Sequence, residues 1–225
     1  RKPGGDPSGF YFAIPTPGAA NTTPGYPDLA APPEFSKAAG LYPESFPLEI
    51  AAPAGWTLYY TLDGSEPDPA RVGAATTTNR VTRLYSEPLT VASRAGQPNV
   101  FSHIPTTAIT PSWLPAWRQP AGEVFKGTIV RAMALDPASG RRTKTITRTF
   151  FVDPAIQSRY GNLPIVSLVS DYNHLFSSAT GISVPGSTHK GDISKQNFFK
   201  EWVRPASIEF FEAGGNPGFK GDFEI

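Results

Sequence analysis

Cysteine is absent from all 225 residues, which excludes disulfides and every zinc site built on thiolates. Its absence does not fix the compartment, since exported bacterial and cytosolic proteins both tolerate it. Charge is sparse as well. Acidic and basic residues make up 17% of the chain, and twenty basic side chains against nineteen acidic ones leave a net charge of +1. That balance gives no electrostatic footprint for nucleic acid. No apolar run approaches the ~18 residues of a membrane-spanning helix, and the opening RKPGGDPSG lacks the apolar stretch of a signal peptide. The chain is therefore expected either to have lost a signal or to begin inside a longer protein. Long helices are disfavoured by 25 prolines and 21 glycines.

What is present suits short strands joined by fixed turns. Hydrophobic residues at 39% and aromatics at 12% argue against disorder, and the length suffices for one large all-β unit or two small ones. A short strand is expected over Phe10 to Ile14, followed by a proline-studded extended linker whose prolines favour polyproline II. Apolar and polar positions then alternate in two blocks, Phe46-Leu48-Ile50 and Trp56-Leu58-Tyr60, with PAG between them as a hairpin-like turn. Further strands are expected at 83–85, 89–91, 128–135 and 145–152, the last two joined by the turn chemistry of DPASGRR. Strands at this spacing predict an immunoglobulin-like β-sandwich. The 94–125 segment shows neither helix nor strand period and is read as a loop insertion over one sheet edge. Leu163 to Val169 and Ala206 to Phe211 complete the strand set, and Asp171 is placed to cap a single helical turn.

Three phrases, YYTLDGSEP, LYSEPLTV and KGTIVRAMAL, stand in this order between residues 39 and 153. They resemble the chitobiase/β-hexosaminidase C-terminal-type module, also called fibronectin-III-associated. YFAIPTPGAAN resembles the closing strand of a lamin-tail-type β domain. LPIVSLV, LF, TGI and EWVRPASIEFFE resemble the opening of the CotH (spore-coat protein H) kinase family. The implied organisation is residues 1–20 as the end of a lamin-tail-type domain, 21–38 as a linker, 39–153 as the chitobiase-type sandwich, and 154–225 as the N-terminal portion of a CotH-like domain. In that family the phosphate- and metal-holding groups lie beyond the stretch that matches, so no catalytic residue carries over. Lys200, Lys220 and Asp222 read as solvated or edge-protecting charges.

Chemistry-bearing residues are few. His103, His174 and His189 have no ligand-like spacing, and no serine sits in a nucleophile elbow. The turn Asp63-Gly64-Ser65-Glu66-Pro67-Asp68 presents three carboxylates, making Asp63, Glu66 and Asp68 weak metal candidates. Their spacing departs from a calcium loop. The favoured reading is a strand reversal in which Asp63 accepts backbone N–H bonds and Gly64 takes positive φ. Trp113 and Trp117, in PSWLPAWRQP, are the candidates for a flat aromatic platform against glycan, beside the alternative of a lid over the sandwich end.

The sequence thus predicts a mainly β protein: an immunoglobulin-like sandwich with a long loop insertion, plus a small incomplete β-rich segment. The functional expectation is a non-catalytic structural or adhesive module of a large exported, surface-associated bacterial protein. The alternatives are part of an atypical secreted kinase whose catalytic lobe lies elsewhere, and a glycan-binding module. No cofactor is expected. Expected partners are the remainder of the same polypeptide or neighbouring surface subunits, and polysaccharide under the third reading. Apolar residues of the last segment, among them Ile165, Val169, Ile208 and Phe210, are expected to pack on the sandwich or on further chain.

Overall fold

The computed structural model describes residues 11–12, 19–22, 25–26, 29–74, 81–106, 117–187 and 192–225. Among these described residues, fourteen strands and two short α-helices follow in chain order. The strands are β1 (Tyr11–Phe12), β2 (Gly25–Tyr26), β3 (Glu34–Phe35), β4 (Gly40–Tyr42), β5 (Phe46–Leu48), β6 (Ile50–Ala51), β7 (Thr57–Thr61), β8 (Arg83–Leu84), β9 (Leu89–Val91), β10 (Thr128–Leu135) and β11 (Ile146–Val152). Helix α1 (Ile156–Tyr160), β12 (Ile165–Val169), helix α2 (Tyr172–Leu175), β13 (Pro205–Phe211) and β14 (Pro217–Glu224) complete the chain. The protein is mainly β and sandwich-like, as its alternation predicts.

The central sheet has the order β4-β11-β10-β7-β8. Its longest strands, β10 and β11, pair antiparallel with Thr128 opposite Phe150 and Val130 opposite Arg148. Because strand side chains alternate, Val130, Ala132 and Ala134 share a face with Leu58, Tyr60, Phe150 and Val152. These residues form the core with Leu48, Ile50 and Val91 from the opposing layer, the small sheets β5-β9 and β3-β6. Phe150 is fully buried, with the Phe46 ring 5.6 Å away edge-on and the Tyr42 ring at 6.2 Å. The opposite face of the central sheet, carrying Met133, Thr147 and Thr149, is buried too. A third sheet, β12-β13-β14, covers it.

Three local expectations differ. The block 46–50 is two strands with different partners, since β5 pairs with β9 and β6 with β3. The break falls at Glu49, whose N–H donates to Ser36 Oγ at 2.9 Å while its carbonyl accepts from Ser36 N, also at 2.9 Å. PAG closes a turn, with Trp56 N–H donating to Pro53 O at 3.0 Å, yet it joins strands of different layers rather than a hairpin. The third concerns the proline-rich stretch, which supplies β2 as the partner of β1. Tyr26 anchors that ribbon, donating to Ser139 O at 3.3 Å beneath the Arg141 guanidinium, which lies 4.8 Å from its ring centroid.

The insertion after β9 is stitched at its base. Arg94 donates to Gly127 O at 3.0 Å, Asn99 Nδ2 to Gly122 O at 2.9 Å, and Val124 N–H to Asn99 Oδ1 at 3.1 Å. Asp171 caps α2 as expected, accepting from Asn173 N–H at 2.9 Å.

Candidate functional site

The acidic turn sits where the central sheet meets the third sheet. Thr61, at the end of β7, is fully buried and donates its hydroxyl to Ser65 O at 2.6 Å, pulling the chain back on itself. Asp63 uses both carboxylate oxygens. Oδ1 accepts from the N–H of Ser65 at 2.9 Å and from its hydroxyl, and Oδ2 accepts from Val81 N–H at 2.9 Å. Gly64 adopts φ +81°, and a Cβ there would meet Ser170 O at 3.1 Å and Val169 Cγ1 at 3.6 Å, both from the end of β12. The glycine is required twice over, by conformation and by close approach.

Glu66 and Asp68 are occupied in the same way. Arg131 Nη2 meets Glu66 Oε2 at 2.6 Å, and Thr145 donates its hydroxyl to Glu66 Oε1. Asp68 Oδ1 accepts from Ala70 N–H at 3.0 Å, capping a 3-10 turn, and Oδ2 faces Arg71 Nε at 3.2 Å. The three candidate carboxylates thus point to three different sets of protein donors. Among the described residues, no three His, Asp or Glu side chains converge as metal ligands. His103 is exposed beside Gln119 Nε2 at 3.2 Å, His174 Nδ1 lies 3.2 Å from Ser170 Oγ, and His189 falls outside the described residues. Trp113 also falls outside them, whereas Trp117 is half-buried, so the aromatic pair is not brought together by anything described.

The seam between the central and third sheets is hydroxyl-rich. Thr149 and Ser167 share a hydrogen bond of 2.7 Å. Thr147 donates to Ser207 Oγ at 3.1 Å, and Ser207 donates in turn to Asp222 Oδ1 at 2.7 Å. Lys144 completes the chain at 2.6 Å from Asp222 Oδ2. Burial alone raises the Asp222 pKa, but hydrogen bonds from Lys144 and Ser207 outweigh it and hold the carboxyl below its ordinary value. Phe211 closes the seam against Phe151, ring centroids 5.9 Å apart and edge-on. Of the apolar residues flagged in the last segment, Ile165 shares this inward face with Val169, itself 3% exposed. Ile208 and Phe210 lie on the outer face with Val166 and Leu168, which are 58% and 45% exposed.

Glu209 was not anticipated. It occupies an inward position of β13 between Ser207 and Phe211, the one carboxylate in that alternation, which is the signal that marks it. It is 4% exposed, and among the described residues its Oε2 has no partner within hydrogen-bond geometry. Burial raises its pKa, while Thr149 and Arg148 pull it back down. Arg148 stands 3.7 Å from Oε1 and donates to Thr147 O at 2.7 Å, with its guanidinium 5.6 Å from the centroid of Phe35. β4 pairs only with 150–152, so the first half of β11 is an edge. Arg148 and Glu209 stand beside that edge, and charged side chains there disfavour the addition of another strand.

Residues 48–150 match the family described as Fn3 associated. That span runs from the last residue of β5 through most of β11 and includes the Asp63–Asp68 turn and its Arg131 partner, so just under half of the chain is similar to the Fn3-associated family. No curated protein and no solved structure matches the chain.

Proposed function

We propose that the chain is a structural and adhesive module from a large exported bacterial surface protein, in which the Fn3-associated sandwich is a rigid platform for the CotH-like segment after it. One observation carries this reading: the acidic turn is a joint. Its carboxylates are spent on backbone amides, hydroxyls and Arg131, while Gly64 seats the end of β12 against the sandwich. A turn built to bind a ligand keeps oxygens turned outward. This one engages its oxygens with protein donors, and Gly64 lies close against the end of β12. The resemblances of 1–20 to a lamin-tail-type end and of 154–225 to a CotH-type opening support the placement in a larger surface protein.

Scanning calorimetry of the whole chain tests the platform role. A single cooperative transition for both parts is expected, and two well-separated transitions would show that the sheets are merely neighbours. Labelling of intact cells with an antibody against the chain tests exposure of the parent protein; signal only after permeabilisation would remove the surface assignment.

A further inference from the structure

β14 is exposed at all eight of its positions and ends the β12-β13-β14 sheet, with β13 as its one strand partner among the described residues. Its free edge can be read residue by residue. Arg204 and Ile225 exchange both backbone bonds, each at 2.8 Å. Bonded and non-bonded pairs alternate along an antiparallel ladder, so Phe223 and Gly221 spend their N–H and C=O groups on Ala206 and Ile208. Glu224, Asp222 and Lys220 turn theirs away from β13. Pro205, which has no N–H to give, stands opposite Glu224 as this alternation requires. The bulge of the pair falls between Glu209 and Phe211, so residues 220–224 are regular.

Side chains alternate with the same period. Phe219 and Phe223 lie on the outer apolar face with Ile208 and Phe210, 58% and 37% exposed, and Gly221 stands between them. Nothing described within the chain calls for glycine there: its φ is not positive, and a Cβ would meet nothing within 4 Å. Glycine inside a strand weakens it and often marks the close approach of another backbone. A second copy running antiparallel along this edge supplies that backbone, and charge selects its register. Centring the pair on Lys220 or on Asp222 sets like charges directly opposite, which destabilises a sheet. Centring it on Gly221 sets Lys220 of each copy opposite Asp222 of the other. The bonded positions are then the residues whose N–H and C=O groups are turned outward. In the same register Phe219 faces Phe223 at the closer, non-bonded pairs, where aromatic partners add stability. We propose that β14 is a homodimerisation edge, at which two copies join antiparallel about a two-fold axis through Gly221, uniting three strands from each into one sheet. The inference goes beyond the platform role and does not depend on it.

The test is sedimentation velocity of the full chain from about 1 to 500 μM, which spans modest homodimer affinities, with amide exchange followed by NMR. A reversible shift to the mass of two chains is expected. Exchange at Lys220 and Asp222 should slow as the dimer forms, while Gly221 and Phe223, already bonded to β13, change less. Lys220→Asp sets carboxylates opposite each other and is expected to weaken association at least about tenfold. Mixing it with Asp222→Lys matches the charges again and is expected to restore pairing. Lys220→Pro removes an outward N–H without taking a bond from β13, so it should abolish the dimer while circular dichroism shows the fold retained. A monomer throughout the range overturns the proposal, as does a dimer that neither Lys220 variant weakens. Slow exchange at Lys220 and Asp222 in the dilute monomer would also overturn it and give the edge to another part of the chain.

Discussion

Arg131 of β10 donates to the carbonyl of Gly64, 67 residues earlier, at 3.0 Å and meets Glu66 at 2.6 Å, so one guanidinium ties the acidic turn to the middle of the sheet. The two contacts differ in worth. Glu66 is 57% exposed at its side chain, and such a pair contributes little on its own. Gly64 is buried, and losing Arg131 leaves its carbonyl unpaired. Arg131→Ala is therefore expected to cost about 2–3 kcal/mol, a fall in Tm of roughly 5–10 °C. Glu66→Ala is expected to cost under about 1 kcal/mol. Equal losses in thermal melts of the two variants would refute this ordering.

Gly64 and Gly73 both have positive φ, at +81° and +71°, but among the described residues only Gly64 has neighbours within 4 Å of where a Cβ would stand. Gly73→Ala carries the backbone term alone, about 1–2 kcal/mol. Gly64→Ala adds a contact with Ser170 O, so it is expected to destabilise more and to loosen the third sheet. Hydrogen exchange should show this as faster exchange at Val169 and Ser207 in Gly64→Ala but not in Gly73→Ala. The same exchange pattern in both would mean that the turn is not the joint.

Much of this was legible in the sequence, for a physical reason. Period-two alternation with one buried face marks strands wherever they pack, and β10 lies over Thr128–Leu135 as the pattern predicts. Trp56, Leu58 and Tyr60 face the core as expected. Pairing was less legible, because which strand lies beside which depends on contacts distant in sequence. Ser36 takes over the backbone of Glu49 and splits what reads as one strand. Nor could alternation show that the second face of the central sheet is buried, since Thr147 and Thr149 are polar and reach Ser167 and Ser207 through hydroxyls. Glu209 was missed for the related reason that a carboxylate in a strand reads as solvent-facing unless register places it inward.

Phe150 is the best single probe of the sandwich core. It is fully buried between Phe46 and Tyr42, and its side chain has no polar role that a substitution would confuse. Phe150→Ala is expected to cost about 3–5 kcal/mol through lost contacts and the cavity left behind. Phe150→Leu, which keeps most of the volume, should lose clearly less. Urea denaturation measures both, with an unchanged slope if the unfolded states are alike. A Phe150→Ala loss under about 1 kcal/mol would place the core elsewhere.

Asp222 and Glu209 stand on neighbouring strands and should respond to pH with opposite sign. Asp222 is held below its ordinary pKa: burial raises it, but hydrogen bonds from Lys144 and Ser207 prevail. The stability it contributes is complete above about pH 4 and is lost as pH falls through the folded-state value. Glu209 is raised, chiefly by burial, so the folded state holds its proton more tightly than the unfolded one. Its effect is therefore most favourable below the unfolded value of about 4.3 and turns into a penalty as pH rises through the interval up to the folded value. Asp222→Asn should thus lower Tm at pH 7 and converge on the unsubstituted protein near about pH 3. Glu209→Gln should gain on the unsubstituted protein as pH rises from about 4 to 7, because the amide has no proton to lose. Thermal melts of the three proteins across that range decide the matter, and parallel curves would show that neither carboxylate titrates differently on folding.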